Sequence, residues 1–220
     1  MSLPLSATHD ELLESYILAH TSPESDLRRE IDRAAHVRLI RPRMLSGHLQ
    51  GNLLRMIVQM TGASRVLELG TYTGYAAHCM AEALPESGVV HTVECDDEME
   101  DFIRHYIDQS PHGYKMRLHI GDALEIVPPL VKSEVFDLVY IDANKRQYPD
   151  YYRLIVPHLR SGALILADNT LWDGKVVQPV RQSDIQTRRI LEFNQMVQED
   201  PRVDNLILPL RDGLSLIRIK

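Results

Sequence analysis

The stretch from residue 65 to residue 75 constrains the fold more than any other part of the sequence. It reads Arg-Val-Leu-Glu-Leu-Gly-Thr-Tyr-Thr-Gly-Tyr. The apolar run at 66–69 is typical of a short strand buried on both faces of a parallel sheet. Gly70 and Gly74 then let the backbone turn tightly. Apolar residues follow at helical spacing: Ala76, Ala77, Met80, Ala81 and Leu84. The stretch predicts a strand, a glycine loop and a helix whose free N–H groups can meet a ligand.

Acidic residues around this loop indicate which ligand it binds. A dinucleotide fingerprint reads G-x-G-x-x-G and presses its backbone against a pyrophosphate. Here the loop is Gly70-x-x-x-Gly74, and Glu68 precedes it. A carboxylate there suits a cationic group, such as the amino group of S-adenosylmethionine. Glu94 ends the next predicted strand, about 20 residues on, the spacing expected for an acid that binds a ribose diol.

An alternation of strands and helices follows residue 65 and predicts an α/β fold with a parallel sheet and right-handed crossovers. We expect strands near 65–69, 89–94, 116–120, 136–141 and 163–167. We expect helices near 74–84, 96–109, 123–131, 148–158 and 184–199. Two closing strands near 204–209 and 214–219 flank Asp212-Gly213, which predicts a hairpin and one antiparallel strand. The 220 residues suffice for a single domain.

Helical patterns fill the first sixty residues. We predict a helix over 8–20 capped by Thr8, a second that begins at Ser22-Pro23, and a third that begins at Ser46. We interpret residues 1–62 as a helical cap and 63–220 as the core of the same domain. The first helix carries more apolar residues than a lid needs: Leu12, Leu13, Tyr16, Ile17 and Leu18. We therefore expect a homodimer, the commonest closed symmetry.

Polar residues gather where the predicted strands end, which is where open α/β sheets bind ligands. Asp142, Asp168 and Asn169 offer two carboxylates and an amide oxygen, the hard ligands that suit magnesium, manganese or calcium. Lys145 stands three residues beyond Asp142 and is a candidate general base, although a lone loop lysine is usually only solvated. Trp172 follows Asn169 and is a candidate wall for an aromatic substrate, or part of the core.

Composition limits the classes of protein to which this chain can belong. Hydrophobic residues make up 44% and charged residues 25%, as in ordinary globular proteins. The net charge of -7 argues weakly against a protein that lives on nucleic acid. The sequence shows no apolar run of membrane-helix length and no signal peptide, so we expect a cytoplasmic protein. Cys79 and Cys95 have no metal-ligand spacing, and we expect both to be buried free thiols.

Several stretches together resemble one known family. They are VLELGTYTGY, VECD, GDALE, VYIDANK, YYRLIVPHLRSGALILADNTLWDG and the final hairpin. Residues from about 44 to 220 are similar to the cation-dependent class I O-methyltransferases, which include plant caffeoyl-CoA O-methyltransferases, animal catechol O-methyltransferase and bacterial relatives. The resemblance implies a Rossmann-like sheet of strand order 3-2-1-4-5-7-6, with the last strand antiparallel.

The resemblance also implies a role for particular residues. S-adenosylmethionine would contact Met44, Glu68, Gly70, Tyr72, Gly74, Glu94, Asp122, Ala123 and Asp142. A divalent cation, magnesium before manganese or calcium, would bind Asp142, Asp168 and Asn169. Lys145 and Asp142 would be catalytic, and Trp172 and Asp173 would contact the acceptor. The chain departs from the family at Ala76, where serine is frequent, and Asn144 occupies a variable position before the lysine.

Four functions remain open at this point. The first is methylation of a catechol-like vicinal hydroxyl on a small phenolic molecule. The second is methylation of a hydroxylated uridine in tRNA, because arginines are numerous before the core: Arg28, Arg29, Arg33, Arg38, Arg41 and Arg43. Neighbouring acids balance many of these charges, which favours the first. An NAD-dependent oxidoreductase and a non-catalytic binding module are the remaining alternatives, and the loop and the acidic set argue against both.

Overall fold

The computed structural model describes residues 9–220, so the predicted cap at Thr8 lies outside the described residues. This part of the chain forms eight α-helices around one sheet of seven strands. The helices are α1 (His9–Ala19), α2 (Asp26–Arg38), α3 (Gly47–Thr61), α4 (Tyr75–Ala83), α5 (Glu100–Gln109), α6 (Ala123–Ser133), α7 (Tyr148–Ile155) and α8 (Ile185–Glu199). The strands are β1 (Arg65–Leu69), β2 (Val89–Glu94), β3 (Met116–Ile120), β4 (Leu138–Ile141), β5 (Leu164–Ala167), β6 (Val203–Leu208) and β7 (Leu214–Ile219).

The strand order is β3-β2-β1-β4-β5-β7-β6, as predicted. Strands β1 to β5 pair in parallel, and β7 runs antiparallel to both β5 and β6. The register places Glu68 of β1 beside Thr92 of β2 and Tyr140 of β4. Because side chains alternate along a strand, these three residues share one face of the sheet.

Helices cover both faces of the sheet, as a buried parallel sheet requires. On one face, apolar residues of α6, α7 and α8 pack on Leu67, Val139 and Ile165. On the other, α3 and α4 pack on Val66 and Leu138. A smaller cluster joins α2 to α4 and α5. The parallel strands therefore end at one edge, between helices that start there.

Helix α2 begins three residues later than the predicted Ser22-Pro23 start. Its N-cap is Ser25, whose hydroxyl accepts from the Arg28 N–H at 3.4 Å. The Ser22 carbonyl instead makes hydrogen bonds to two side chains of α3, the Asn52 amide at 2.7 Å and the His48 ring at 2.7 Å. The capping pattern was correct but was placed at the wrong serine, because the partners of Ser22 lie far along the chain.

Two other predictions about burial meet different outcomes. The expected apolar face of α1 is exposed in the single chain; Leu13 is 50% and Tyr16 61% exposed. Cys79 is a buried free thiol as expected, but Cys95 is exposed, so that prediction was wrong. Cys95 follows the end of β2, where the strand gives way to an open loop.

None of the helices in residues 9–220 is long and apolar enough to cross a membrane.

Candidate functional site

A cavity of about 1150 Å³ opens at the carboxyl ends of β1, β2, β4 and β5. We call the lining residues at or just beyond those strand ends the floor of the cavity. They are Gly70, Glu94, Asp142, Lys145, Asp168 and Asn169. Its roof consists of residues 38–41, residues 43–46 and Arg211. Small-molecule pockets generally measure about 300–1,000 Å³, so this cavity has room for a cofactor and a second molecule.

Gly70 brings two strand ends of the floor into close contact. Its φ is +94°, and a Cβ atom there would lie 2.3 Å from the carbonyl oxygen of Asp142. Its N–H donates to the Val93 carbonyl at 2.9 Å. Only glycine satisfies both the left-handed backbone and the approach of the neighbouring chain. Gly74 (φ +80°) then caps α4 from a similar conformation, which completes the predicted loop.

Glu94 is held rigidly at the side of this loop. Its carboxylate accepts the Tyr72 N–H at 2.6 Å and the Asp96 N–H at 2.9 Å. The side chain is largely buried yet lines the cavity. The two N–H bonds fix its orientation, so that its remaining lone pairs can accept further bonds from a ligand.

Glu68 occupies a different position from the one its predicted role suggests. It is fully buried and is not among the residues that line the cavity. Its Oε2 accepts the Thr92 hydroxyl at 2.5 Å, while Oε1 has no hydrogen-bond partner within the described chain. Burial, with Asp142 and Glu94 nearby, raises the pKa of Glu68 to about 8. The structure thus places Glu68 beneath the loop, next to the cavity.

Lys145 and Asp142 form an ion pair at the centre of the floor. The Lys145 Nζ lies 2.7 Å from Asp142 Oδ1 and 5.1 Å from the centroid of the Tyr148 ring. Both side chains are mostly buried. Burial raises the pKa of Asp142, the Lys145 ammonium opposes that shift, and the charge of Asp168 adds to it. The pair is therefore a candidate proton-handling unit and no solvated loop lysine.

Asp168 lies beside Asp142 and is tied to two buried side chains. Its Oδ2 accepts the Gln50 amide at 2.7 Å and lies 3.3 Å from the Tyr140 hydroxyl. The same hydroxyl lies 3.5 Å from Asp142 Oδ2, so both carboxylates meet at one oxygen. Asp168 Oδ1 accepts the N–H of Asn169, whose φ is +57°.

This donor set fits a hard divalent cation. Two carboxylates that converge in a buried place repel each other unless positive charge offsets them. The charge of Asp168 indeed raises the pKa of Asp142. Within residues 9–220 no hydrogen bond engages the side-chain amide of Asn169, whose oxygen can join the carboxylates as a ligand. Oxygen ligands of this kind suit magnesium, manganese or calcium.

The roof is fastened by one side chain from the opposite end of the described chain. Arg211, in the β6–β7 turn, donates to the carbonyls of Leu45 at 3.0 Å, Ser46 at closer range and Arg43 at 3.3 Å. Its φ is +50°, unusual for a residue other than glycine. Met44, predicted to contact the cofactor, lies on the fastened segment and lines the cavity while 52% exposed.

The remaining predicted site residues divide into two groups. Tyr72, Asp122, Ala123 and Trp172 line the cavity. The Asp122 carboxylate also caps α6, accepting the Leu124 N–H at 2.8 Å. Asp173 does not line the cavity; its N–H donates to Asp212 across the turn. The structure therefore brings Trp172 to the cavity but not Asp173.

Sequence reasoning missed three residues of this site: Gln50, Tyr140 and Arg211. Tyr140 lies in the apolar sequence of a buried strand, and Gln50 lies in the apolar sequence of a helix, so neither was recognised as a site residue. The signal for Gln50 was a polar residue within an apolar helix pattern. Arg211 showed no signal, since its partners lie 165 or more positions away.

Comparisons with known proteins now identify the family. The sequence model of the O-methyltransferase family matches residues 19–220. The chain belongs to the O-methyltransferase family. Caffeoyl-CoA O-methyltransferase 2 of Eucalyptus globulus is 32% identical over 181 residues, 77% of this chain and 72% of that protein.

Solved structures agree with this assignment. The O-methyltransferase TomG of Streptomyces achromogenes, involved in tomaymycin synthesis and solved with S-adenosylmethionine, has a TM-score of 0.88 at 25% identity, over 95% of this chain and 96% of its own. The Bacillus cereus O-methyltransferase, solved with S-adenosylhomocysteine, has a TM-score of 0.85 at 25% identity, over 95% and 97%. The predicted family, fold and enzyme class are confirmed, in preference to an oxidoreductase or a non-catalytic module.

Proposed function

We propose that this O-methyltransferase transfers the methyl group of S-adenosylmethionine to one hydroxyl of a vicinal, catechol-like pair on a small phenolic molecule, with a divalent cation bound at the floor. The observation that carries the proposal is the Lys145–Asp142 pair, 2.7 Å apart, beside Asp168. An amine and two carboxylates thereby meet in the floor, and the glycine loop and Glu94 line the same cavity beside them.

The cofactor would occupy the end of the cavity near the loop. The similar TomG and Bacillus cereus structures hold S-adenosylmethionine and S-adenosylhomocysteine. Here the fixed Glu94 carboxylate would accept from the ribose diol, and the free N–H groups at the start of α4 would face the methionine carboxylate. The other proposed contacts come from residues that line the cavity: Met44, Gly70, Tyr72, Asp122, Ala123 and Asp142. Glu68 and Gly74 are not among the lining residues and would act from behind the loop.

A calorimetric titration of Glu94→Ala with S-adenosylmethionine tests this placement. A hydrogen bond to a charged group contributes about 1.5–3 kcal/mol. Affinity should therefore fall roughly 10-fold or more, by the usual 1.4 kcal/mol for each factor of ten. Unchanged affinity would remove Glu94 from the cofactor site.

The acceptor would lie at the other end, with Trp172 as an apolar wall. Asp142, Asp168 and Asn169 would hold a divalent cation, whose positive charge would lower the pKa of a phenol from about 10. Lys145 would accept the phenolic proton at its Nζ. The floor then holds the phenolate oxygen and the methyl group in line, and alignment supplies most of the rate gain.

The metal part of the proposal has a direct test. A chelator should abolish methyl transfer to a catechol, and magnesium or manganese should restore it. Asp168→Ala should lose most activity together with its metal dependence, while its affinity for S-adenosylmethionine stays near wild type. A wild type that remains equally active with chelator would refute the metal site. A separate activity screen against a panel of catechols, flavonoids and tRNA would identify the acceptor.

One observation favours a second candidate, the methylation of a hydroxyuridine in tRNA. Two of the six early arginines have acidic partners: Arg28 pairs with Glu82 and Arg29 with Asp26. Arg38, Arg41 and Arg43 line the cavity, and none of them pairs with a carboxylate in residues 9–220. Such free charges can meet phosphates. Loss of a methylated uridine from tRNA of a deletion strain would favour this candidate, and intact tRNA would exclude it.

The exposed face of α1 supports a homodimer. Leu12, Leu13, Tyr16, Ile17 and Leu18 are each at least 36% exposed on the described chain, and contact with a second copy would bury them. Light scattering at micromolar concentration should give twice the mass of 25.2 kDa; a monomer would count against the dimer. A cytoplasmic location stays a prediction.

A further inference from the structure

A buried polar pair lies beneath the two carboxylates and has no part in the reaction proposed above. Gln50 comes from α3 and Tyr140 from β4, and both side chains are 0% exposed. The Gln50 Nε2 donates to the Tyr140 hydroxyl at 2.8 Å and to Asp168 Oδ2 at 2.7 Å. The pair therefore connects a helix before the sheet to the floor of the cavity.

The cost of burying Gln50 indicates that its position serves the floor. With its amide reversed, Gln50 would set an oxygen against the Asp168 carboxylate, so only the orientation with nitrogen toward Asp168 makes both bonds. That orientation leaves Oε1 without a hydrogen-bond partner in the described part of the chain. An unpartnered buried polar atom costs about 1–3 kcal/mol. Packing alone would favour an apolar side chain here, whereas the contact with Asp168 explains the amide.

Tyr140 has the matching role between the two acids. A phenol carries one hydrogen, and its oxygen here accepts from Gln50, so that hydrogen is left for a carboxylate. Asp168 Oδ2 lies at 3.3 Å and Asp142 Oδ2 at 3.5 Å. The hydroxyl thus lies within 3.5 Å of both acids. Without it, Asp142 would keep its bond from Lys145 and Asp168 its bond from Gln50, but the two carboxylates would share no donor.

We propose that Gln50 and Tyr140 are positioning residues that hold the Asp142 and Asp168 carboxylates at the separation a divalent cation requires. The inference rests on the metal site of the proposed function. Partners that orient metal-binding carboxylates generally change metal affinity about 10–100-fold when removed. Neither residue would touch the acceptor or the methyl group.

Two variants test the pair, each with little change in volume. Tyr140→Phe removes only the hydroxyl, and Gln50→Met keeps the length of the side chain without its donors. Tyr152→Phe is the matched control, because Tyr152 is 1% exposed and its hydroxyl bonds a carboxylate, Asp200 at 3.0 Å, outside the cavity. If Tyr140→Phe fails to fold, Gln50→Met carries the test.

The main measurement is calorimetric titration with Mn²⁺ alone, followed by titration with S-adenosylmethionine. Both test variants should bind Mn²⁺ about 10–100-fold more weakly than wild type, and their cofactor affinity should stay near wild type. In steady-state assays the Mn²⁺ concentration for half activity should rise by the same factor, with kcat recovering at saturating Mn²⁺. Tyr152→Phe should lower Tm and leave Mn²⁺ affinity unchanged.

The outcomes separate this inference from the function beneath it. A wild type that binds no Mn²⁺ would overturn the metal site and this inference together. If the wild type binds Mn²⁺ and both variants bind it equally tightly, the metal site stands and only this inference is overturned. Variants that lose stability to the same extent as Tyr152→Phe, with no loss of Mn²⁺ affinity, would show a purely structural role and also overturn it.

Discussion

The floor and the roof of the cavity are built in different ways. The floor residues follow neighbouring parallel strands, whose backbone ladders set their spacing. The roof is a segment without strand partners, and the guanidinium of Arg211 fastens it through three carbonyls. A ladder fixes the atoms that react, whereas a single side chain leaves the covering segment adjustable. We therefore expect changes at Lys145 and the carboxylates beside it in the floor to alter kcat, and changes to the roof to alter KM.

The largest effect should come from Lys145→Met. Loss of a positioned general base lowers the rate about 10²–10⁴-fold, and the loss should appear in kcat at neutral pH. Part of it should return at higher pH, as the phenol ionises without help. Lys115→Met is the control, because Lys115 is also buried but bonds the Leu84 carbonyl, away from the cavity. A pH–rate profile equal to wild type would leave Lys145 without a role in proton transfer.

Gly70→Ala should show how far the floor depends on close backbone contact. The change adds a Cβ that would lie 2.3 Å from the Asp142 carbonyl. Gly162→Ala is the control: its φ of +90° is nearly the same, but no atom lies within 4 Å of the added Cβ. The control should lose about 1–2 kcal/mol from the left-handed backbone alone. Gly70→Ala should lose more, together with cofactor affinity, in thermal unfolding and calorimetry. Equal losses would mean that the loop moves aside freely.

Arg211→Ala should release the roof. With its three backbone contacts gone, KM for the cofactor should rise about 10-fold, equivalent to 1.4 kcal/mol, while kcat changes little. Arg211→Lys keeps the charge near Asp142 without the planar fork of donors. If the contacts matter, Lys should behave like Ala in initial-rate measurements. A drop in kcat with KM unchanged would instead mean that the roof takes part in the reaction.

A smaller effect should come from Glu68→Gln. The folded-state pKa of Glu68, about 8, lies above its ordinary value of 4.5. Folding therefore favours the protonated acid, and its contribution to stability is complete below pH 4.5 and is lost as the pH rises through about 8. The variant should gain Tm relative to wild type between pH 5 and pH 8, by about 2–4 °C for each kcal/mol. A constant difference across that range would refute the shifted ionisation.

The same contrast explains what could be read from the sequence. The positions of the strands and of most helices were predicted, because apolar periodicity and glycine loops are local signals. The strand order was predicted from the resemblance to the family. Glu94, Asp142, Lys145 and Asp168 were predicted together, since parallel strands end at one edge. The burial of Glu68 depends on how the loop lies over it, and the place of Asp173 depends on a turn with positive φ.

The roof was beyond prediction for a physical reason. Its contacts join segments 165 or more positions apart through backbone carbonyls, which every residue possesses. Nothing in the identity of Leu45 or Ser46 marks them as partners of Arg211. Likewise, the contacts of Gln50 and Tyr140 with Asp168 form only when α3 packs on the sheet face that carries Asp168, so the sequence alone does not indicate them.

The place of β7 in the sheet has a consequence for synthesis on the ribosome. β7 fills the gap between β5 and β6, and Arg211 just precedes it. Until residues 203–219 have emerged, the outer edge of β5 remains unpaired, and the segment that covers the cavity has nothing to hold it. Protein made up to that point can form the loop and the first strands, but not a closed site. The nascent chain would therefore acquire its ability to retain a small molecule late and abruptly.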